Sequence, residues 1–363
     1  MKIKNFRLPF GIDWSLFLAP LLLSVIGIVM IFSVTYSTKP ALMISQIVYL
    51  ILGLSLAIFL TFFDYRNLRG LSLFIYLIDL ALLILVLIIG DRTMGSTRWI
   101  DFKVFQLQPS EIGKLLILLF LARIVSETER FNFKKIFLIL IITGAPVLLI
   151  LLQPDFGTAM VIVVELFIIL FFSKIKKIIL VAILGAMMVF APVGWHFLKD
   201  YQKQRIYTFM NPSSDPYGSG YNVTQAKITV GSGGLMGQGI GRGTQIQLNF
   251  LPIAHTDFIF ASTAEAVGFV GSSFLLLLLL FLIYRVINVA KVAKDSFGFY
   301  FAITWGLTLM FQVFVNIGMN LGIVPVTGIP LPFVSSGGSQ MLTNFAAIGI
   351  LQSIYLRHRK ISF

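Results

Sequence analysis

Residues 251–284 read Leu251-Pro-Ile-Ala-His255-Thr256-Asp257-Phe-Ile-Phe-Ala-Ser-Thr-Ala-Glu265-Ala-Val-Gly268-Phe-Val-Gly-Ser-Ser-Phe274-Leu-Leu-Leu-Leu-Leu-Leu-Phe281-Leu-Ile-Tyr284. The second half is an apolar run of the kind that crosses a bilayer. The first half closes a polar stretch of roughly sixty residues, from about His196 to Asp257, too long to be a plain connector. If its flanks span a membrane, that stretch gathers the polar chemistry at one face, with a carboxylate at the water boundary.

The whole chain supports the membrane reading. Of its 363 residues 58% are hydrophobic and 12% charged, against about 25% charged in soluble domains. Apolar windows fall at 17–34, 44–63, 72–90, 112–124, 136–152, 158–172, 178–195, 260–284, 297–321 and 340–356, which predicts about ten transmembrane helices. β-Barrel spans would alternate, and these do not. The run after Lys2, Lys4 and Arg7 is too long for a signal peptide and reads as a retained first span.

Basic residues set the orientation. One series of loops carries Lys2, Lys4, Arg7; Arg66, Arg69; Arg123, Arg130, Lys134, Lys135; Lys174, Lys176, Lys177; Arg285, Lys291, Lys294; and Arg357, Arg359, Lys360. The other carries Lys39, Arg92, Arg98 and Lys103, then Lys199, Lys203, Arg205, Lys227 and Arg242. The positive-inside rule puts both termini in the cytoplasm. The fold expected is an all-α polytopic membrane protein, a single domain over 1–363. Its large extracytoplasmic loop, about 196–257, lies between the seventh and eighth spans.

The net charge of +13 would suggest nucleic acid in a soluble protein; distributed this way it reports topology, and no nucleic acid is expected. With 0 Cys there is no thiolate chemistry. No Gly-rich nucleotide loop occurs, so a reaction on the outer face must use a substrate that is already activated.

Several charges lie where a membrane disfavours them. Glu111 and Lys114 share one helix face at the start of the fourth span, as an ion pair or as a cavity wall. Asp155, in Gln153-Pro-Asp155-Phe-Gly-Thr158, sits at a turn where it caps a helix or faces a cavity. Asp79, Glu165 and Glu265 should face protein or water. Thr256 or Asp257 could cap the eighth span; alternatively Asp257 is a desolvated carboxylate suited to general-base work. The glycine-dense run from Gly231 to Gly243 either serves turns or cradles phosphate, with Arg242 beside it. The segment about 322–339, rich in Pro and Gly yet apolar, reads as a re-entrant-like lid.

Together these motifs resemble the shape, elongation, division and sporulation (SEDS) family of bacterial cell-wall polymerases. The resemblance is carried, in order, by Arg98-Trp99-Ile100 with Gln108-Pro-Ser-Glu111; Gln153-Pro-Asp155-Phe-Gly-Thr158; Gly220-Tyr-Asn-Val-Thr-Gln-Ala-Lys227-Ile; Gly241-Arg-Gly-Thr244-Gln-Ile-Gln-Leu; His255-Thr-Asp257-Phe-Ile-Phe-Ala; and Pro330-Leu-Pro-Phe-Val-Ser335-Ser336-Gly-Gly. The Gly-Thr-Gln-Ile-Gln-Leu run is closer to the elongation branch than to the division branch. This chain departs from the family at Ile253, where Glu is common, at Ala264 to Gly268, where a Gly-Glu-Glu-Leu-Gly run is common, and at Ser336, where an aromatic is common.

The resemblance implies a peptidoglycan glycosyltransferase in the bacterial cytoplasmic membrane, its active site facing outward. It would join lipid II, an undecaprenyl-pyrophosphate-linked disaccharide-peptide, into β-1,4-linked glycan strands during elongation. Asp257 is then the catalytic base. Arg98, Lys203, Arg205, Lys227, Arg242, His255, Thr256, Ser335 and Ser336 are candidates for binding substrate, and Glu111, Lys114, Asp155 and Glu265 for shaping the cavity. A divalent cation, Mg or Mn, at the pyrophosphate is compatible with this chemistry, although no ligand cluster announces one. The partners implied are a class B penicillin-binding protein, the elongation machinery and membrane lipid. A lipid II flippase and a non-catalytic transpeptidase scaffold are the rival readings.

Overall fold

The computed structural model describes residues 11–36, 40–93, 96–101, 106–197, 199–211, 215 and 218–358. Each of the ten apolar windows falls on one helix: α1 (Trp14–Thr35), α2 (Ala41–Phe62), α3 (Tyr65–Ile89), α4 (Pro109–Glu127), α5 (Phe133–Leu152), α6 (Phe156–Phe172), α7 (Lys177–Phe197), and, after the long loop, the last three helices of the chain. Helix starts follow from local chemistry. Asp13, Asp64, Asn132 and Asp155 each accept the free N–H two or three residues on, at Ser15, Arg66, Lys135 and Thr158.

Two expectations change. The region read as one loop over 196–257 holds three helices, α8 (Asp200–Met210), α9 (Ser219–Ser232) and α10 (Thr244–Gln247). The fold is also not purely helical. Between α3 and α4 an antiparallel sheet forms from β1 (Asp91–Thr93), β2 (Ser96–Asp101) and β3 (Gln106–Leu107), in the order β1-β2-β3. β2 contains Thr97, Trp99 and Ile100, side chains that suit a pleated surface. Lys2, Lys4, Arg7, Lys39, Lys103, Arg359 and Lys360, which carry part of the charge asymmetry, lie outside the described residues.

The chain ends with α11 (Ile259–Val292), α12 (Ser296–Leu321) and α13 (Gly338–Leu356). By length and composition six of the described helices can cross a bilayer: α1, α2, α3, α5, α11 and α12. The chain is therefore a helical, multi-pass membrane protein. α12 is the core of the bundle, with 72% of its apolar window buried against 22% for α2 and α5. Trp305, Phe297 and Phe301 fill its surroundings. Asp295 caps its first turn through the Gly298 N–H, and Gly322, at φ 71°, ends it in the left-handed region.

α2 packs along α13, α11 along α12, α3 along α4 and α1 along α11. The α2–α13 contact is close because glycine lets the backbones meet, as is common between membrane helices. A Cβ on Gly349 would stand 2.6 Å from the Ala57 carbonyl oxygen. Gly349→Ala should therefore cost about 1–3 kcal/mol by overpacking, read as a lower midpoint in thermal unfolding. Gly144→Ala in α5, where a Cβ meets nothing within 4 Å, should leave the midpoint unchanged or raise it.

Candidate active site

The site forms where the N-terminal turn of α11 meets the C-terminal end of α12. Residues 252–258 are a run of turns, so α11 starts at Ile259 with Phe258 as a cap residue that has no side-chain capping bond. Neither Thr256 nor Asp257 caps this helix, so of the two readings the sequence left open the capping one is not used. The Thr256 hydroxyl donates instead to the Ile253 carbonyl, 3.3 Å away. The capping acceptor comes from α12: Asn320 Oδ1 takes the Ala261 N–H at 3.0 Å. Asn320 Nδ2 donates to the Asp257 carbonyl at 3.0 Å, and Asn316 Nδ2 donates to the same oxygen at 3.2 Å. The backbone of Asp257 is thus fixed while its carboxylate is not used as a cap.

The segment 323–337 lies over this turn. Ser335 Oγ donates to the Thr256 carbonyl at 2.7 Å, and the Ser336 N–H to the His255 carbonyl at 3.0 Å. Asn316 also donates to the Ile329 carbonyl at 2.9 Å. Gln46 of α2 bonds the Ser335 carbonyl and the Gly337 N–H. Gly328 sits above the carboxylate: a Cβ there would be 3.7 Å from Asp257 Oδ2 and 4.0 Å from a guanidinium nitrogen of Arg205. Ile329, Leu331, Phe333 and Val334 are buried, so this irregular backbone packs on protein.

A second carboxylate closes the far side. Asp155 is buried and accepts from Gln108 Nε2 at 2.9 Å, Ser110 Oγ at 3.0 Å, Thr158 Oγ1 at 2.9 Å and the Thr158 N–H at 3.2 Å. Arg98 lies 3.9 Å from it and donates to the Gln153 and Pro154 carbonyls. The Gln108-Pro-Ser and Gln153-Pro-Asp motifs therefore meet at one acid, which both caps α6 and ties α4 to it.

Burial holds the Asp257 carboxyl above the ordinary carboxylate range. The Arg205 guanidinium, and after it Arg98, pull it back down, and Asp155 pushes it up. Arg205 and Arg98 are thus the basic candidates that Asp257 senses. Lys203 lies two residues before Arg205 on α8. Lys227 rests against the C-terminal turn of α12, where a Cβ on Gly322 would overlap its side chain.

The remaining candidates are placed elsewhere. Glu111 and Lys114 form a buried ion pair of 2.7 Å within α4. Glu265 is buried. It accepts from the Gln245 and Ile246 N–H groups at 2.9 and 3.3 Å and so holds the start of α10. The glycine-rich run does not present a phosphate cradle, because the N–H groups of Gly237, Gln238, Gly239, Gly241 and Arg242 all donate within the protein. Arg242 itself is exposed. Among the described residues no group of three or more His, Asp or Glu is placed to hold a metal ion. Sequence reasoning passed over Asn316 and Asn320, although two amides spaced i, i+4 near the end of an apolar span are a legible signal.

The FtsW, RodA and SpoVE family model, described as cell cycle protein, matches residues 13–360. Peptidoglycan glycosyltransferase MrdB of Escherichia coli (strain K12) is 39% identical over 311 residues, covering 85% of this chain and 84% of that protein. Among solved structures, a chain of a peptidoglycan synthase complex that coordinates polymerization and crosslinking superposes with a TM-score of 0.84 at 31% identity, covering 96% of this chain and 99% of that one. The rod shape determining protein RodA of Thermus thermophilus superposes with a TM-score of 0.72 at 29% identity, covering 95% and 97%. The chain belongs to the FtsW/RodA/SpoVE family.

The raised pKa of Asp257 has a consequence for stability. Because the folded value lies above the unfolded one, the unfolded chain loses this proton first, and stability falls as pH rises from the ordinary carboxylate range towards the folded value. Asp257→Asn should be at least as stable as the parent at neutral pH, with the difference closing as the pH is lowered below that window. Thermal melts of both proteins across a pH series would check it.

Proposed function

We propose that this chain is a peptidoglycan glycosyltransferase that polymerises lipid II at the outer face of the bacterial cytoplasmic membrane during cell elongation, with Asp257 as the general base. In this reading all ten apolar helices cross the membrane, both termini are cytoplasmic, and the loop carrying α8 to α10 faces outward. The observation that carries it is the division between the two acids: Asp155 is filled by hydrogen-bond donors, whereas Asp257 has a fixed backbone and a desolvated carboxylate beside Arg205.

The chemistry is a single displacement. The Asp257 carboxylate takes the proton of the acceptor sugar 4-hydroxyl as that oxygen bonds to the donor anomeric carbon. The bond from that carbon to the pyrophosphate breaks with inversion, and the electron pair leaves with the pyrophosphate. Arg205 and Arg98 supply positive charge for the departing group. The same two cations favour the ionised form of Asp257, against the desolvation that favours its proton. A magnesium or manganese ion enters this scheme only as the counter-ion of the pyrophosphate. A class B penicillin-binding protein is the partner that fits, since a related chain is part of a complex that couples polymerization to crosslinking.

Purified protein with lipid II and its transpeptidase partner should make glycan strands, and Asp257→Ala should reduce the yield by roughly a hundredfold or more. Equal yield from both proteins would sink the base assignment. Transfer of labelled lipid II across liposomes with no polymer from either would favour a flippase. Arg205→Gln removes a cation that lowers the Asp257 pKa, so the acidic limb of its pH–rate profile should move to higher pH.

A further inference from the structure

The glycine-rich run between α9 and α10 takes no part in that reaction; it fills a break in α11. At Gly268 the chain leaves helical geometry, with φ 67° and ψ −166°. Ahead of the break, the Gln238 and Gly239 N–H groups donate to the Glu265 and Ala266 carbonyls at 2.9 and 3.0 Å. Beyond it, the Phe269 and Val270 N–H groups donate to the Gly234 and Leu235 carbonyls at 2.9 and 3.1 Å. Only glycine fits at the crossing, because a Cβ on Gly268 would lie 2.3 Å from the Gly237 nitrogen. A third tie fixes the far end of the run, where the Gly241 N–H donates to Ser33 Oγ of α1 at 2.8 Å.

These ties set the height of the run against two helices. α1 is bracketed by exposed aromatics, Trp14 at one end and Tyr36 at the other, the residues that favour the two membrane–water boundaries. Ser33 lies one turn inside Tyr36. The part of α11 beyond the break, about 24 residues and roughly 36 Å long, is enough to cross about 30 Å of hydrocarbon. Both helices put the run at one membrane boundary.

There it exposes apolar side chains: Leu235 is 70% and Met236 79% accessible. They continue the exposed surface of Phe269, Val270 and Phe274 on α11. Residues 231–241 carry no charge, and many of their N–H groups are satisfied inside the protein.

We infer that residues 234–240 form an interfacial lipid anchor, with Leu235 and Met236 seated at the headgroup–acyl boundary of the leaflet on the active-site side. The anchor rests on the reading of α11 beyond Gly268 as a span. It holds the turn that carries Asp257 at the height where a lipid-linked pyrophosphate emerges from the bilayer.

The chain has 0 Cys, so Met236→Cys gives a single labelling site on an exposed side chain. The full-length variant is labelled with a bimane fluorophore and placed, without partner, in phosphatidylcholine–phosphatidylglycerol nanodiscs. These contain lipids whose doxyl quencher sits either near the headgroup or near the chain end. Quenching about twofold stronger from the headgroup-proximal position is expected for a side chain at that boundary. No quenching from either position means that the segment faces water or a protein partner, and overturns the anchor. Stronger quenching from the chain-end position places the residue in the hydrocarbon core and overturns it as well. Quenching needs no turnover, so failure of Asp257→Ala to abolish polymerisation would count against the catalytic reading alone.

Discussion

One buried side chain joins the two parts of the site. Asn320 accepts the free N–H of Ala261 with its oxygen and donates to the Asp257 carbonyl with its nitrogen. Both ends of a single amide are engaged, and each bond lies away from water, where an unmet partner is costly. Because α12 is the most buried of the six long apolar helices, the turn before α11 is referenced to the interior of the bundle and not to the edge of a surface loop. Asn316, one turn earlier, donates to the same Asp257 carbonyl and to the Ile329 carbonyl, so the lid and the turn share one support.

Around that support the protein separates two acids that lie within electrostatic reach of each other. Asp155 is surrounded by side-chain and backbone donors from α4 and α6. Asp257 has its main chain anchored and its carboxylate desolvated. Like charges in a low-dielectric site raise one another's proton affinity. At Asp257 burial raises the proton affinity most, Arg205 and then Arg98 lower it, and Asp155 raises it further. The two aspartates are thus used differently, although both sit at a helix N-terminus where an aspartate is at home.

Much of the architecture could be read from composition. All ten apolar windows became helices because continuous runs such as residues 274–283 leave the backbone no other way to satisfy itself in lipid. Helix caps were legible wherever the acceptor is adjacent in sequence, as at Asp13 and Asp155. Asp257 shows where this fails. The sequence pattern fits an N-cap, yet the acceptor used is 59 residues away from Ala261 on another helix. The glycines between α9 and α10 left two readings open for a related reason. A cradle and a plug need the same small residues, and only the partner decides which is built. The sheet ahead of α4 is too short and too polar for hydropathy to reveal.

The break at Gly268 also bears on how the enzyme tolerates its solvent. A continuous helix of 34 residues would transmit any tilt along its whole length. Membranes vary in thickness, and spans answer by tilting. With the hydrogen-bond ladder interrupted at Gly268 and carried by the adjoining loop, the bilayer segment can change inclination through a joint. The first piece, Ile259 to Val267, stays tied to α12 through Asn320. A change of tilt in the bilayer segment then reaches the turn before α11 only through the bonds of the adjoining loop, and not along a continuous helix.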